Sequence, residues 1–533
     1  MIDTKALRQK ILDLAIRGKL VPQDPDDEPA SVLLERIRQQ KQQMVKEGKL
    51  KPKDIKNDSV IFVGEDNLHY EKFSNGSVKC IEDEVPFGLP DGWAWVRLGN
   101  LSAAIQYGLS NSAEPQGTHR LLRITDIQDG KVDWNAVPFT TVNDPEAYLL
   151  KTGDIVFART GATVGKSFLI TETPYPSVYA SYLIRIRLLG SLSPEYIYQF
   201  FDSACYWSQI TDKSVGVGQP NCNGTSLKEL FIPLPPISEQ LRIVPTAQAL
   251  LAYVAKIDAE KKSLLSIIMA TKSKILDLAI RGQLIPQDPN DEPASVLLER
   301  IRAEKEELIK QGKIKRDKKE SVIFRGEDNS YYEKMGTEVY CIDEEIPFDI
   351  PDTWEWMRLE SCCIKEIRRG KSPKYIDESG TLVFAQKCNT RYSGIDVGLA
   401  LFLDENTLGR YPDDEYMQDG DVVINSTGTG TLGRVGIYHA TDNYLGLPIV
   451  PDSHVTIIRA ARSIQSVYLY GFMKANQSEL EKEGEGSTNQ KELKPLTLKE
   501  MLIPIPPYSE QERIVATITA AFSTISAIEN SLN

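Results

Sequence analysis

Cysteine and histidine are scarce in this sequence, and neither is spaced like a set of metal ligands. The seven cysteines include no C-x-x-C pair, and no two of the four histidines have the spacing of ligands on one helix. These spacings argue against a zinc site and are typical of reduced thiols in a cytosolic protein. We therefore expect no metal site in this chain.

Long apolar runs and a secretory signal are also missing. No window reaches the roughly 18 uninterrupted apolar residues of a membrane span, and the first segment, MIDTKALRQKILDLAIRGKL, is charged throughout. We expect a cytoplasmic protein without membrane contact. Its 533 residues exceed what one hydrophobic core usually organises, which predicts two or more domains.

A positive net charge, which would favour binding to nucleic acid, is absent too. The formal net charge is −13, but it is unevenly distributed. Residues 59–98 carry three basic and seven acidic side chains, and residues 321–359 carry three and ten, so these two segments supply −11 of it. The rest of the chain is near neutral with local basic runs, which leaves DNA binding open as a hypothesis.

The sequence does contain a long internal repeat. The segment KILDLAIRGKLVPQDPDDEPASVLLERIR at 10–38 returns at 274–302 with three differences. Three further anchors return in the same order: 59–72 at 321–334, 80–98 at 341–359, and 227–244 at 498–515. Between the anchors, 99–226 and 360–497 have diverged almost completely. The chain therefore consists of two halves with a common frame and different inserts.

The anchors at 238 and 282 enclose one predicted long helix. Ser238 follows two prolines and is expected to cap it, and Gly282 is expected to end it. Apolar residues between them recur at helical spacing, and Pro245 is expected to kink the helix. About 45 residues at ~1.5 Å each give a length of roughly 68 Å. In the second copy this helix begins at Ser509 and its expected continuation is the N-terminus, so the sequence is nearly circular.

A second helix follows each KILDLAIRG segment, with apolar residues on one side. Two interpretations stay open: a helix that binds a partner or pairs with itself, and a helix packed on its neighbour. The residues proposed for partner contacts on these helices and on the central helix are Leu33, Ile37, Met44, Leu251, Val254, Leu265, Leu297 and Ile301.

Each insert is predicted to be mixed α/β, and each contains a Gly/Thr-rich turn after a strand. ARTGATVGK (158–166) resembles a phosphate-binding loop, but Thr160 stands where the first glycine should be, and the residues after Ser167 are β-prone. The second copy, GDVVINSTGTGTLGR (420–434), has Arg434 for Lys166 and Val435 for Ser167. We expect either a tight loop lying close to a DNA backbone or a plain hairpin turn.

Other polar clusters fall at matching places in the two inserts. IQYGLSNS (105–112) corresponds to IRRGKSPKY (367–375), and GQPNCN (218–223) corresponds to STNQKE (487–492). Their Asn, Gln, Arg, Lys, Ser and Thr side chains can read base edges, although such clusters are often only solvated loops. The proposed DNA contacts in the first half are Gln106, Tyr107, Ser110, Asn111, Arg120, Arg123, Arg159, Thr160, Thr163, Lys166, Gln219, Asn221 and Asn223. Those in the second half are Arg368, Arg369, Lys371, Ser372, Lys374, Tyr375, Lys387, Asn389, Arg391, Ser426, Thr427, Thr429, Thr431, Arg434, Asn489, Gln490 and Lys491.

Catalytic motifs are missing. IPPY at 505–508 lacks the polar first residue of the amino-methyltransferase motif, and the first copy has LPPI. We find no convincing AdoMet glycine loop, helicase P-loop, H-E-x-x-H or acidic nuclease cluster, so we expect a non-catalytic protein. A scaffold whose inserts bind protein is the main alternative to a DNA reader, and an NTPase using the 160–167 loop is a third.

The whole chain resembles the DNA specificity subunit of type I restriction–modification systems. Three features carry the resemblance: the paired IPxPPxSEQxRIV segments, the paired GDIVFARTGATVGK and GDVVINSTGTGTLGR segments, and the ILDLAIRG helices between divergent inserts. The resemblance implies an α+β chain with two mixed α/β target-recognition domains, joined by long antiparallel helices in a coiled-coil stalk. The arrangement would be circular and pseudo-two-fold.

In that family, each domain reads one half of an asymmetric, split site on double-stranded DNA. The helices set the spacing and bind two modification methyltransferase subunits, and restriction translocase–nuclease subunits join for cleavage. The resemblance thus implies no cofactor in this chain, with AdoMet, ATP and Mg²⁺ on the partners. The acidity of this chain further predicts weak DNA affinity without them.

The repeat sets the expected domain boundaries. They are an N-terminal helical region (1–58), an acidic extended lead-in (59–98), target-recognition domain 1 (99–236), the central long helix and helical turn (237–320), a second acidic lead-in (321–359), target-recognition domain 2 (360–507) and a C-terminal helix pairing with the N-terminal region (508–533).

Overall fold

The computed structural model divides into two compact units, residues 2–261 and 262–533, called here the first and second units. The structure describes residues 3–128, 130–213, 221–316, 321–391, 394–428, 430–484 and 491–532. Among the described helices, none combines the length and apolarity that crossing a membrane requires.

The first unit contains both helices and strands. Its helices are α1 (Thr4–Ile16), α2 (Ala30–Lys46), α3 (Leu98–Leu101), α4 (Pro194–Phe200), α5 (Ala204–Lys213), α6 (Gly224–Lys228) and the first part of α7 (Ile237–Ile280). Its strands are β1 (Ser59–Val63), β2 (His69–Phe73), β3 (Val78–Cys80), β4 (Ala94–Arg97), β5 (Ser102–Tyr107), β6 (His119–Leu122), β7 (Ile127–Gln128), β8 (Lys131–Val132), β9 (Phe139–Thr140), β10 (Ile155–Ala158), β11 (Ser167–Leu169), β12 (Ser177–Tyr179), β13 (Leu183–Leu188) and β14 (Phe231–Leu234).

The second unit repeats this plan with a different insert. Its helices are the rest of α7, then α8 (Ala294–Lys310), α9 (Ser466–Ala475), α10 (Gln477–Lys482), α11 (Pro495–Lys499) and α12 (Tyr508–Leu532). Its strands are β15 (Ser321–Arg325), β16 (Tyr331–Met335), β17 (Glu338–Cys341), β18 (Glu355–Arg358), β19 (Arg368–Arg369), β20 (Tyr375–Ile376), β21 (Leu382–Phe384), β22 (Leu401–Leu403), β23 (Val422–Asn425), β24 (Val435–Ile437), β25 (Ile449–Pro451), β26 (Val455–Ile458) and β27 (Leu502–Ile505).

A four-stranded antiparallel sheet forms the centre of each insert. In the first unit its order is β11-β10-β13-β5, and in the second it is β24-β23-β26-β19. All four residues of β10 and of β23 are buried, and all of them except Asn425 are apolar, which fits strands that face a core on both sides. The two inserts, although divergent in sequence, thus share the topology of their central sheet, whereas their other sheets differ.

Several hydrogen bonds of the frame around the inserts recur at equivalent positions in the two units. Trp93 Nε1 donates to Glu239 in the first unit at 2.8 Å, and Trp354 Nε1 donates to Glu510 in the second at 2.9 Å. Burial raises the pKa of both carboxyls. Two more hydrogen bonds recur in the same way. The Tyr196 hydroxyl donates to the Pro233 carbonyl, and its counterpart Tyr468 donates to the Pro504 carbonyl. Arg242 donates to Asp27 in the first unit, and Arg513 donates to Asp291 in the second.

Each unit pairs one helix antiparallel to a part of α7. In the first unit, Thr4 Oγ1 of α1 donates to Asp258 at 3.1 Å, and Ile11 packs with Ala247 and Val254. In the second unit, Lys272 pairs with Glu529 of α12 at 2.7 Å. The pairing expected between the C-terminal helix and the N-terminal region would join the two units, and it stays a prediction.

The long central helix is confirmed, with one correction at its start. Helix α7 has 44 residues and contains Pro245. It begins at Ile237, one residue before Ser238, so Ser238 lies in the first turn and is not the cap. At the other end Gly282 has a φ of +67°, and Gln283 N donates to the Leu278 carbonyl at 2.9 Å, so the left-handed glycine closes the helix as expected.

The two acidic lead-ins are not simply extended. Residues 59–80 form a three-stranded antiparallel sheet in the order β1-β2-β3, and residues 321–341 form its counterpart β15-β16-β17. Alternation in SVIFV and SVIFR favours strands, and the GEDN segments supply the turns, with Asn67 and Asn329 at positive φ. We call these structures the first and second meander sheets.

Candidate nucleic-acid interface

Polar loops from three parts of the first insert meet in the first unit. The Arg159 guanidinium lies 4.9 Å from the centroid of the Tyr107 ring, whose hydroxyl accepts a hydrogen bond from Gly224 N at 2.9 Å. Thr160 pairs with Asn221 through an isolated antiparallel bridge. The resulting surface, called the first polar surface, combines the loops 105–112, 159–166 and 221–223.

The Gly/Thr-rich segment of this surface is a hairpin turn. Strands β10 and β11 are antiparallel, and the turn between them holds Gly161 and Gly165 at φ values of +72° and +89°. Thr163 Oγ1 donates to the Thr160 carbonyl at 3.2 Å. Ser167 starts a strand instead of a helix, which removes the helix N-terminus that a phosphate-binding loop needs. The segment is thus a hairpin turn and not a phosphate-binding loop, and its contact with a DNA backbone stays a prediction.

Lys166 is the exposed cation of this hairpin, and in the part of the chain that the structure describes its ammonium group makes no ion pair. We expect Lys166→Ala to weaken DNA binding by the assembled complex about tenfold and to reduce the salt dependence of binding by about one charge. The measurement is a fluorescence-anisotropy titration at several salt concentrations. The control is Lys19→Ala, which removes an exposed lysine outside the loops of the first polar surface. If Lys166→Ala leaves the salt dependence of DNA binding unchanged, the prediction is contradicted.

Two arginines proposed as DNA contacts in the first unit serve the fold. Arg120 stacks on the Phe139 ring at 3.9 Å and donates to the Val137 carbonyl at 2.5 Å. Arg123 forms a 2.7 Å ion pair with Asp126, three residues away. Each guanidinium is therefore partly committed to its own domain, and neither is a freely available cation.

The remaining first-half candidates divide between supporting and exposed positions. The side-chain oxygen of Gln106 accepts from Arg185 at 2.7 Å, and that of Asn223 caps α6 by accepting from two backbone N–H groups. Ser110 and Asn111 are exposed, and the Asn111 amide donates to a loop carbonyl at 3.1 Å. Gln106 and Asn223 thus position the surface, and Ser110 and Asn111 lie on it.

The equivalent loops of the second insert also meet. Thr427 pairs with Glu492 through an antiparallel bridge, which matches the bridge between 160 and 221 in the first unit. Arg369 forms an ion pair with Glu492, and Leu493 N donates to the Ser426 carbonyl at 2.9 Å. The resulting second polar surface combines the described residues of 367–375, 426–434 and 491–493. The correspondence inferred from the sequence holds for the hairpins, in which residue 160 matches 427. For the third loop, the bridges match Asn221 with Glu492, two residues beyond the position that the sequence comparison gave it.

Part of the positive charge of the second polar surface is neutralised inside the protein. The carboxylate of Glu415, which is buried, lies 2.7 Å from Arg368, 3.4 Å from Lys371 and 3.7 Å from Lys365. Burial lowers the pKa of Lys365. The predicted cations Arg368 and Lys371 are therefore paired with Glu415 and carry less free charge than the sequence suggests.

Four other second-half candidates lie below or within the surface. Asn389 and Ser426 are buried, and the Asn389 amide donates to Asn425 and to the Arg434 carbonyl. Arg434 returns a hydrogen bond to the Asn389 carbonyl at 2.8 Å, and Thr431 donates to the Thr427 carbonyl at 3.0 Å. The structure corrects the prediction for Asn389 and Ser426, since their burial makes them supports of the loop.

The other predicted positions in the second insert lie on its exterior. Ser372, Lys374, Tyr375, Lys387, Arg391 and Lys491 are exposed. Gln219, Thr429, Asn489 and Gln490 lie outside the described residues. The first polar surface thus exposes mainly amide and hydroxyl groups with one lysine, and the second exposes several lysines, so the two differ in chemistry although their backbones correspond.

The residues proposed for partner contacts are mostly core. Leu33 and Ile37 of α2 are buried in the main core of the first unit, and Leu297 and Ile301 of α8 are buried in that of the second. Val254 is buried as well, whereas Met44, Leu251 and Leu265 are half-buried. The structure therefore favours the alternative, helices packed on their neighbours. The exposed apolar residues of α7 are others: Leu241, Leu250, Tyr253, Leu264, Ile267 and Met269.

Sequence reasoning missed one position on each polar surface. Tyr182, 64% exposed, accepts a backbone hydrogen bond from Arg159 N at 3.1 Å through its carbonyl. Its counterpart His454, also one residue before the third sheet strand, lies 2.7 Å from the Thr427 hydroxyl. Alignment of the strands β13 and β26 would have found both. Among the described residues, no group of three or more His, Cys, Asp or Glu side chains is placed to hold a metal ion.

Comparison with known proteins gives a consistent result. A family model described as the type I restriction modification DNA specificity domain matches residues 90–267 and 351–533. The chain is 26% identical to the type I restriction enzyme EcoEI specificity subunit of Escherichia coli over 596 aligned positions, which cover 99% of this chain and 90% of that protein. It is 29% identical to the EcoAI specificity subunit of Escherichia coli over 67% of this chain and 62% of that protein.

A solved chain from work on complex assembly and conformational transition of the type I R-M system has the same fold. It matches with a TM-score of 0.51 and 19% identity, covering 84% of this chain and 94% of that one. The first match lies in the first unit except for its last six residues, the second match lies in the second unit, and the two matches enclose the two polar surfaces. The chain therefore belongs to the type I restriction–modification DNA specificity family and is a DNA specificity subunit with two target recognition domains.

Proposed function

We propose that each target recognition domain reads one half of a bipartite, asymmetric site on double-stranded DNA. One observation carries this proposal: three polar loops converge at equivalent positions in both units, on a repeated frame, but with different side chains. A shared frame supports two readers of one kind, and different loop chemistry supports two different half-sites. Two identical half-sites would not require two domains with different loop side chains.

The exposed side chains of each surface suggest how bases are read. Asn111 and Asn221 can make bidentate contacts to adenine, and the lysines of the second surface, such as Lys374 and Lys491, can donate to the O6 and N7 atoms of guanine. Tyr182 offers an aromatic face beside the hairpin. Lys166 contacts phosphate in this proposal and fixes the register of the first domain without reading sequence.

The helices set the distance between the half-sites and bind two modification methyltransferase subunits in a stalk. The repeated frame favours two like partners, and α7 exposes apolar side chains such as Tyr253, Ile267 and Met269 that are available to them. AdoMet, ATP and Mg²⁺ belong to the partners, and restriction translocase–nuclease subunits complete the assembly for cleavage.

The test exchanges residues 99–226 for the corresponding insert of a relative and maps adenine methylation across the genome of a host that also expresses the cognate methyltransferase subunit. We expect a methylated split motif of which one half changes and the other half and the spacer stay the same. The unexchanged chain provides the reference motif. A motif that changes in both halves, or methylation without any split motif in an assembled complex, would contradict the proposal.

A further inference from the structure

The two meander sheets each have an outward face built from alternate residues. In the first sheet the register pairs Val60 with Lys72, Phe62 with Tyr70, and Tyr70 with Cys80, so these side chains lie on one side. The outward face of the first sheet consists of Val60, Phe62, Tyr70, Lys72, Val78 and Cys80, and that of the second consists of Val322, Phe324, Tyr332, Lys334, Val339 and Cys341.

These outward faces are mainly apolar, with one lysine each, and largely exposed. Phe62 is 40% exposed and Val78 is 52% exposed, and their counterparts Phe324 and Val339 have nearly the same values. The rings of Phe62 and Tyr70 stack with centroids 5.9 Å apart, and the corresponding rings of the second sheet stack at the same separation. Adjacent exposed aromatic and aliphatic side chains form a patch of the kind that binds another protein.

The outward faces are identical in the two copies, whereas the reverse faces are not. All six outward positions carry the same residue in both sheets. The reverse faces differ at four equivalent positions, where the first copy and the second copy carry, respectively, Val63 and Arg325, His69 and Tyr331, Phe73 and Met335, and Lys79 and Tyr340. Both faces have had the same time to diverge. The tyrosines are half-buried and donate to Asp66 and Asp328 inside the chain. The other pairs that are exposed in both copies are Phe62 and Phe324, Lys72 and Lys334, Val78 and Val339, and Cys80 and Cys341. Packing inside the chain gives no reason for the identity of these exposed pairs, which favours a shared external constraint.

Charge decides between the possible occupants of these faces. Each face is flanked by a GEDN turn and by an acidic turn, EDE at 82–84 in the first copy and DEE at 343–345 in the second. A phosphate backbone would be repelled here. A second copy of this chain would bring two acidic rims together, which is unfavourable as well. The surroundings therefore fit a protein whose contact surface has an apolar centre and a basic rim.

We propose that the two outward faces are equivalent docking sites, each of which binds one copy of the same protein subunit through an apolar centre and a basic rim. The inference rests on the proposed function, in which the duplicated partner is the modification methyltransferase subunit. It adds a contact outside the stalk and outside the two regions that the family model matches, 90–267 and 351–533.

Two exposed cysteines allow this contact to be tested by thiol labelling. Cys80 and Cys341 lie on the two outward faces and are the exposed cysteines; Cys205 is half-buried with its thiol pKa raised by burial, and the other four are buried. We expect N-ethylmaleimide to label Cys80 and Cys341 in the free chain. In the complex with the methyltransferase subunit, both should react at least about tenfold more slowly, measured by mass spectrometry of the peptides.

Introducing a negative charge at the apolar centre of each face gives an independent test. Phe62→Glu and Phe324→Glu are each expected to raise the Kd for one of the two partner copies by about tenfold or more. At a free partner concentration that just saturates both sites of the wild-type chain, sedimentation should therefore show mainly a complex with one copy for each variant. Val63→Glu and Arg325→Glu, on the same strands but on the reverse faces, are the matched controls. They should keep two copies and the wild-type affinity.

The outcomes separate this inference from the proposed function. If the wild-type complex methylates a split motif, but both thiols stay as reactive as in the free chain and both phenylalanine variants bind two copies normally, the docking sites are overturned and the proposed function stands. If the free chain self-associates through these faces and the variants abolish it, a second copy is the occupant and the inference is again overturned. Absence of any methylated split motif would instead contradict the proposed function.

Discussion

Gly108→Ala is expected to disrupt the first target recognition domain and to leave the second intact. Gly108 follows β5, where Leu109 N donates to the Tyr179 carbonyl at 2.8 Å. A Cβ at Gly108 would overlap the Tyr179 and Ala180 carbonyl oxygens and lie 2.6 Å from the Ala180 carbonyl carbon. These are backbone atoms at the end of a buried strand, so the overlap cannot be relieved by a side-chain rotation and the backbone itself would have to move. We expect the substitution to destabilise this domain by about 3 kcal/mol, which lowers the ratio of its folded to its unfolded form by about 100-fold or more.

The chain contains a matched pair of positions for this experiment. Gly370 makes the same approach in the second unit, 2.6 Å from the Pro451 carbonyl carbon, so Gly370→Ala should damage the second domain only. Gly190 and Gly409 face open space and serve as controls. Hydrogen exchange by mass spectrometry, read separately for peptides of each unit, measures the effect. Protection of β5 and β13 peptides that survives Gly108→Ala unchanged would contradict the argument.

Asp154→Ala is expected to cost about 3–5 kcal/mol of stability in the first unit, because it leaves an arginine partly buried without its counter-ion. Asp154 is 2% exposed, and its two oxygens accept from Arg187 Nε and Nη2 at 2.8 and 2.6 Å. The aspartate precedes β10 and the arginine lies in β13, so the pair ties neighbouring strands at the base of the hairpin that carries Lys166. The hydrogen bonds to Asp154 raise the pKa of Arg187.

The double variant Asp154→Ala with Arg187→Met isolates the cause. Removing both charges should recover at least half of the loss in a urea titration, because the unpaired charge and not the missing bridge dominates the cost. Glu172→Ala, at an exposed carboxylate of the same unit, should change little. The equivalent pair in the second unit is Asp421 with Arg459, both bonds at 2.7 Å. A double variant as unstable as the single one would refute this explanation.

The repeated frame could be predicted from the sequence because its signals are local or duplicated. Helical periodicity and Gly282 predict the length of α7 within one residue. The matching of loop with loop could be predicted as well, since both inserts lie between the same anchors.

The sequence did not reveal which polar side chains point outward. Asn389 and Lys387 stand two residues apart in one polar loop, yet one is buried beneath the hairpin and the other is exposed. Glu415 neutralises Arg368 from 47 positions away, a pairing that no local pattern contains. The meander sheets were missed for a different reason: their acidic composition suggested a solvated segment and concealed the alternation of strand residues.

The division of α7 between two units has a consequence for biosynthesis. The first unit uses only residues 2–261, and α1, its helix partner for α7, precedes α7 in the sequence. A nascent chain therefore holds every segment of this unit once Lys261 has left the ribosome, well before translation of the second insert begins. The second unit then completes itself from later residues, and α12, its last helix, closes it onto the part of α7 already formed. Folding can thus proceed from the N-terminal to the C-terminal unit, one recognition domain at a time. Helix α7 contributes its first part to the unit that folds first and its second part to the unit that folds later.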